Sequence, residues 1–373
     1  MKRIILTLCV LIPLLSGVPS YAAWEKDGKV KIQIALLLDT SSSMDGLIDQ
    51  ARSQLWKIIN ELALAHKDGK TPTLEVALFE YGKSSIPSGE GYLRMVTSFT
   101  HDLDKISAEL YSLTTNGGDE YCGLVIDSAE RALQWDSNDN NLKLMFIAGN
   151  EPFDQGELNY KQAIKRAKSK GIIVNTIFCG DRQTGIESWW KDGADLSGGR
   201  YISIDQNIQV RTINAPQDAE ITRLGMELNN TYISYGKAGM EKKKEQEKQD
   251  SNAMAKSESI AADRSISKAS AHYDNSEWDI VDASSKGAVD LKSMDKDQLP
   301  DEMKNMNPKE REEYVKKMEK KREDLKNRIN KLNEERRTYI EKAEKENAGD
   351  NTLDSAIIKT VREQAEKKNF QFK

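Results

Sequence analysis

The sequence predicts an α/β fold: a doubly wound, mostly parallel sheet with helices on both faces, followed by an α-helical, coiled-coil-like C-terminal region. Two observations carry this. Between Lys29 and Asp205 short apolar runs alternate with amphipathic stretches, the pattern of strands joined by crossover helices. From Glu241 to Lys373 the chain holds 30 basic and 30 acidic residues in 133, a composition suited to solvated helix and not to a second sheet. The first 240 residues hold the other 25 basic and 30 acidic residues.

Taken in order, Ile32 to Leu38 is a near-continuous apolar run ending at Asp39, as a buried strand requires. From Gly46 to Ala65, Leu47, Ala51, Leu55, Ile58 and Leu62 recur at spacings of three and four, which makes a helix face. Leu74 to Phe79 and Tyr92 to Phe99 read as the next two strands, with Gly82 to Gly91 as their turn. Helices are expected over Asp104–Leu113 and Cys122–Trp135, then a strand from Leu142 to Ala148. Tyr160 to Lys170 is a helix stopped by Gly171, Ile172 to Phe178 a strand, Ser188 to Leu196 a short helix, and Tyr201 to Ile204 the last strand. Pro216 to Asn229 reads as a helix packed back on this domain, within an extension spanning 207–236. Residues 237–275 have few large apolar side chains and read as a charged linker or a loose helix.

Within 276–373, Asn307-Pro308-Lys309-Glu310 is a helix start, with a cap, a proline in the first turn and an acid at the third position. The arm it opens, 307–347, has a heptad seam of Val315, Met318, Arg322, Leu325, Ile329, Leu332, Arg336, Tyr339 and Ala343. That stripe is expected to pair with a second chain or with a last helix from Leu353 to Glu366. Arg322 and Arg336 in the seam should snorkel or meet acidic neighbours.

Composition excludes some classes. With 38% hydrophobic and 31% charged residues and a formal charge of −5, no basic patch dominates, which argues against nucleic acid as partner. The one apolar run near membrane length starts at residue 4. Lys2 and Arg3, the run Ile4–Leu15 and the small residues of Ser20-Tyr21-Ala22 make it a signal peptide over 1–22, cleaved before Ala23. Twelve apolar residues broken by Pro13 and Gly17 span a bilayer poorly, so no integral membrane segment is expected after cleavage. Cys9 would leave with the signal, leaving Cys122 and Cys179 in a compartment that permits disulfides.

The strongest local signal is Asp39-Thr40-Ser41-Ser42-Ser43 at the carboxyl end of the first strand. An acid and two hydroxyls at i, i+2 and i+4 can turn their oxygens to one point, and hard oxygen donors suit Mg²⁺, Mn²⁺ or Ca²⁺. The plainer reading is a helix cap, with Ser41 or Ser43 bonding orphan N–H groups. The three histidines, His66, His101 and His272, lack metal-ligand spacing, and no nucleophile elbow, P-loop or dinucleotide fingerprint occurs, so no enzyme is expected. Trp189-Trp190 reads as packing on a short helix. Cys122 opens the helix after the Gly117-Gly118-Asp119-Glu120 loop and Cys179 closes the fifth strand on the same rim, where a disulfide is the expectation and two buried thiols the alternative.

Over residues 28–206 the sequence resembles the von Willebrand factor type A (VWA) domain, whose metal-ion-dependent adhesion site opens with Asp-x-Ser-x-Ser after its first strand. Phe99-Thr100-His101-Asp102-Leu103, the Gly117–Glu120 loop and Gly198-Gly199-Arg200-Tyr201 match in order. The resemblance implies a metal held by Ser41 and Ser43 directly and by Asp39 directly or through water. The second loop usually offers a threonine; here Asp119 is the substitute. The third usually ends its strand in Asp-Gly, but Ala148 stands at that acid's position, leaving Asn150 and Glu151 as candidates. The loops 149–156 and 118–123 resemble an exported bacterial subgroup of the family, which implies a periplasmic location, with secretion as the alternative. The expected function is a metal-dependent adhesion or assembly module, its cation (Mg²⁺ foremost) completed by an acidic residue of a protein partner. The alternative is a scaffold acting through the C-terminal coiled coil, with self-association and no need of metal.

Overall fold

The computed structural model describes residues 30–205, 213–346 and 353–372. Its first half alternates as expected: β1 (Lys31–Asp39), α1 (Asp45–Leu62), β2 (Ala65–His66), β3 (Thr73–Tyr81), β4 (Leu93–Thr100), α2 (Leu103–Ser112), α3 (Cys122–Ala132), β5 (Leu142–Gly149), α4 (Tyr160–Ser169) and β6 (Ile173–Cys179) follow one another. The helix expected over Ser188–Leu196 is α6 (Trp190–Ser197); a further short helix, α5 (Arg182–Glu187), precedes it and is separated from it at Trp189, whose φ of +72° no helix accommodates. β7 (Tyr201–Ile204) ends the sheet.

Six strands order as β4-β3-β1-β5-β6-β7, all parallel except β4, which runs antiparallel to β3. The order reverses between β1 and β5, so a crevice opens beyond the carboxyl ends of those two strands. Each face of the sheet carries its own core. One lies under α1 and α2 and includes Leu38, Trp56, Ile106, Ala148 and Cys179. The other lies under α3, α4 and α6 and includes Leu37, Cys122, Phe153, Phe178 and Trp190.

The region beyond is helical: α7 (Asp218–Asn229), α8 (Gly236–Lys256), α9 (Glu258–Ala269), α10 (Ile280–Ser285), α11 (Pro308–Glu346) and α12 (Leu353–Glu366), then β8 (Gln371–Phe372), which pairs with β2. The stretch read as a charged linker or a loose helix is thus two packed helices. All of α9 after its first residue, the exposed Glu258, is buried, and its small Ala and Ser side chains allow close packing where large apolar ones would have been expected. Ala253, Ile260, Ile357, Val361, Ala365 and Phe370 all enter the first core, so α8, α9 and α12 complete the face that α1 begins.

The start of α11 is as the sequence indicates. The Asn307 side chain accepts from Lys309 N and Glu310 N at 3.0 Å each, and Glu310 accepts from Asn307 N at 2.8 Å, a reciprocal capping box. Its seam, however, is covered by the chain itself. Leu325 and Ile329 pack with α7 and α9, and Val315 with Ile280 and Val281 of α10. The arginines explain why: Arg322 pairs with Asp279 (2.6 Å) and Asp282 (2.5 Å), and Arg336 with Asp218 (2.5 Å) and Asp263 (2.7 Å). Buried guanidinium groups need such partners, and those acids lie on the chain's own helices or at their edges. The expected pairing of the arm with a second chain or with α12 is therefore replaced by packing on α7, α9 and α10. The expected signal peptide lies outside the described residues. Among the described residues no helix is long and apolar enough to cross a membrane.

Candidate functional site

β1 ends at Asp39 because the apolar run ends there, and Asp39 sits at the switch in strand order, fully buried. The chain then turns tightly. Ser41 N donates to Asp39 Oδ1 at 2.7 Å, Thr40 N donates to Tyr81 O at 2.8 Å, and Asn116 N donates to Thr40 O at 3.1 Å. The last bond ties the second loop to the first. Thr40 Oγ1 also donates to the buried Glu80 at 3.2 Å, which in turn pairs with Arg94 and Lys83.

The hydroxyls of Ser41 and Ser43 stand 3.5 Å apart. They are not spent on a cap: the residue before α1 is Met44, and that helix start receives no side-chain hydrogen bond. Asn150, just beyond β5, donates from Nδ2 to Ser43 Oγ at 3.1 Å, so the third loop does reach the first. Glu151 is exposed, and its carbonyl accepts from Trp190 Nε1 at 2.8 Å. Ala148, at the end of β5, turns its methyl group into the first core and its carbonyl to Tyr81 Oη at 2.8 Å.

The second loop is arranged differently from the sequence expectation. Asp119 is exposed, and its carboxylate accepts from the Tyr121 hydroxyl at 3.0 Å. Its neighbour Glu120, which sequence reasoning passed over, is 4% exposed and lies within hydrogen-bonding reach of Asp39 and Ser41. Gln155 fixes it by accepting from Glu120 N at 3.0 Å. Asp39 Oδ2 and Glu120 Oε2 are buried and receive no hydrogen bond. Burial, then the neighbouring Glu120 carboxyl, holds Asp39 well above the usual carboxylate range; burial also raises Glu120. Among the described residues no lysine or arginine pairs with either acid. Glycines keep the space around them open. A Cβ on Gly82, whose φ is +76°, would stand 2.6 Å from Asp39 Oδ1 and 2.8 Å from Glu120 Cγ; one on Gly149 would stand 3.2 Å from Asp39 Oδ2.

The donor set is oxygen only: carboxyls of Asp39 and Glu120, hydroxyls of Ser41 and Ser43. Among the described residues no three His, Cys, Asp or Glu side chains converge, so a thiolate or imidazole centre of the zinc type has no place there. Two carboxyls with orphaned oxygens beside two hydroxyls that cap no helix suit a small hard cation.

Cys122 and Cys179 are both free and buried, which corrects the expected disulfide. They lie on opposite faces of the sheet, Cys122 in the core with Phe178 and Cys179 in the core with Ile177, so β6 itself stands between them. Burial pushes both thiols up, and Cys122 Sγ lies 3.8 Å from the Tyr81 hydroxyl.

Residues 33–185 match the family model described as von Willebrand factor type A domain, and this part of the chain is a VWA domain. Solved structures with a similar fold include BatB from Bacteroides thetaiotaomicron, 15% identical over 47% of this chain and 90% of that one, with a TM-score of 0.36. The VWF domain of the type V pili tip protein Mfa5 from Porphyromonas gingivalis is 12% identical over 47% and 90%, TM-score 0.36. Proximal thread matrix protein 1 from the mussel byssus, with a zinc-occupied MIDAS motif, is 11% identical over 47% and 42%, TM-score 0.36. No curated protein matches the chain.

Proposed function

We propose, from the premise that residues 33–185 are a VWA domain, that the chain is an exported, divalent-cation-dependent protein-binding module and not an enzyme. VWA domains are typically protein-interaction and adhesion modules; the cation, the export and the partner's chemistry are our reading. Asp39, Ser41 and Ser43, joined by an acid of the second loop, would hold Mg²⁺, with Mn²⁺ or Ca²⁺ as alternatives. The ion would supply an open position for an aspartate or glutamate of the partner, a charge-assisted contact inside a larger interface.

One observation carries this reading. At the point where the strand order reverses, Asp39 Oδ2 is buried without a donor while the two serine hydroxyls beside it leave their helix start uncapped. A cap would have used the hydroxyls and a structural acid would have been paired. Calorimetric titration of the full chain with MgCl₂ and MnCl₂ tests it. One cation should bind the wild type, and binding should be lost in Ser41→Ala/Ser43→Ala. Proteins recovered from a periplasmic extract in Mg²⁺ should be released by chelator and absent with that variant. Recovery that ignores both chelator and substitution would refute the reading.

A further inference from the structure

We propose that Glu120, not Asp119, is the second-loop ligand of this cation, and that Asp39 and Glu120 together neutralise it so that it stays bound without any partner. This rests on the cation-site reading above and goes beyond it by assigning the ligand and the resting state. Adjacent acids compete for the role, and the backbone separates them. Asp119 faces solvent and is engaged by the Tyr121 hydroxyl at 3.0 Å. Glu120 is directed inward, with its amide held by Gln155 at 3.0 Å and its carboxyl beside Asp39 and Ser41.

The energetics favour an occupant between the two acids. Burying an ionised carboxylate without a partner is strongly unfavourable, and here two lie together with an unpartnered oxygen each. Elsewhere the chain pairs its buried carboxylates: Asp218, Asp263 and Asp279 each meet an arginine. Only a proton or a cation can fill the same role at Asp39 and Glu120. Gly82 is shaped for that, since any side chain there would collide with both Asp39 Oδ1 and Glu120 Cγ. A shared proton would need no adjoining hydroxyls, whereas Ser41 and Ser43 stand ready as two further oxygen donors.

Charge arithmetic gives the second half. The family's third-loop acid is absent, Ala148 standing in its place, and Asn150 only orients Ser43. Glu120 restores the second negative charge from the second loop. Two carboxylates against one divalent cation leave no net charge, so a partner's carboxylate adds a contact and is not needed to retain the ion.

The test is Mn²⁺ binding to the full chain, followed by calorimetry and by loss of the free-ion electron paramagnetic resonance signal. It compares wild type, Glu120→Gln and Asp119→Asn with no partner present. Wild type and Asp119→Asn should bind one ion with the same Kd, and Glu120→Gln should bind about 100-fold more weakly or not at all. Metal-free Glu120→Gln should melt no lower than metal-free wild type, since it removes a buried charge, yet gain nothing when Mn²⁺ is added. Asp119→Asn changes only an exposed side chain, so its result stands even if Glu120→Gln folds poorly. Loss of binding in Asp119→Asn, or wild-type binding in Glu120→Gln, overturns the assignment. A wild type that binds no ion refutes the cation site itself, a separate outcome from a misplaced ligand.

Discussion

Arg264→Leu should destabilise the chain by about 4 kcal/mol, within the range for removing one partner of a buried ion pair. Arg264 of α9 is 1% exposed and lies where the helical region meets the VWA domain. It reaches Asp104 of α2 at 2.6 Å, Asp250 of α8 at 2.9 Å and the Tyr273 hydroxyl at 3.2 Å, and its guanidinium stacks 4.4 Å from the Trp56 ring of α1. Asp250 would survive the loss, because Lys268 also pairs with it at 2.5 Å. Asp104 would keep only the Tyr273 hydroxyl, at 2.5 Å, in a fully buried place. At roughly 2 °C per kcal/mol for a unit of this size, the melting temperature should fall by about 8 °C. Adding Asp104→Leu should recover more than half of the loss, because the stranded charge goes with its partner. The deficit should also depend on pH. Burial already lifts Asp104 above the ordinary carboxylate range, and without the guanidinium it rises further. An acid whose folded-state pKa exceeds its unfolded value makes stability fall as pH rises above about 4, so the deficit should grow from pH 5 to pH 8. Urea denaturation across that range reads it. A deficit under about 1 kcal/mol, or a double variant losing the sum of the single losses, would refute the reasoning.

Three other outcomes are expected. Leu325→Asp puts a charge into the core shared by α7, α9 and α11 and should lower stability by about 3 kcal/mol or more, without changing the sedimentation of the folded chain; a shift in association state instead would restore the two-chain seam. His272 is pushed down to about 4 by burial, with Nε2 unpartnered, so its unfolded form takes the proton first. Stability should therefore be lost as pH falls from 6.5 towards 4, by up to about 3 kcal/mol, and His272→Gln should flatten that slope in denaturant titrations. Cys122 and Cys179 should both alkylate without reductant once the chain is denatured, and slowly when native; a cross-linked Cys122–Cys179 peptide in a non-reduced digest would contradict the structure.

The sheet was legible because its strands are buried on both faces and so read as continuous apolar runs, of which Leu142–Gly149 is the plainest. The start of α11 was legible because a capping box is local. The helices α8 and α9 were not, because what they bury is largely Gln246, Gln249, Ser259, Ser265, Arg264 and Lys268, none of which registers as an apolar stripe. The seam of α11 was seen, but its partners were not: Asp218, Asp263, Asp279 and Asp282 are 40 to 118 positions away from the arginines they meet. At the site, Asp39, Ser41 and Ser43 were readable from their spacing. The choice between Asp119 and Glu120 was not, since it depends on how the Gly118 turn packs against Gly82 and Ser84. The cysteines failed on a point of parity. Cys179 and its neighbour Phe178 point to opposite faces of β6, and which face α3 covers follows from the crossover, not from spacing.

The core beneath α1 has a bearing on modularity. Trp56, Ile59 and Leu62 share it with Ala253, Ile260, Ile357, Val361 and Phe370, residues drawn from both ends of the helical region. Here a gene fragment ending after β7 would keep α1 and α2 but lose the residues of α8, α9 and α12 that complete their core, leaving part of it presented to water as an adhesive patch. The transplantable piece is the whole span from β1 to β8. For display, fusion or domain-swap work, the natural seam in the sequence near residue 206 is the wrong place to cut, because the physical seam does not lie there.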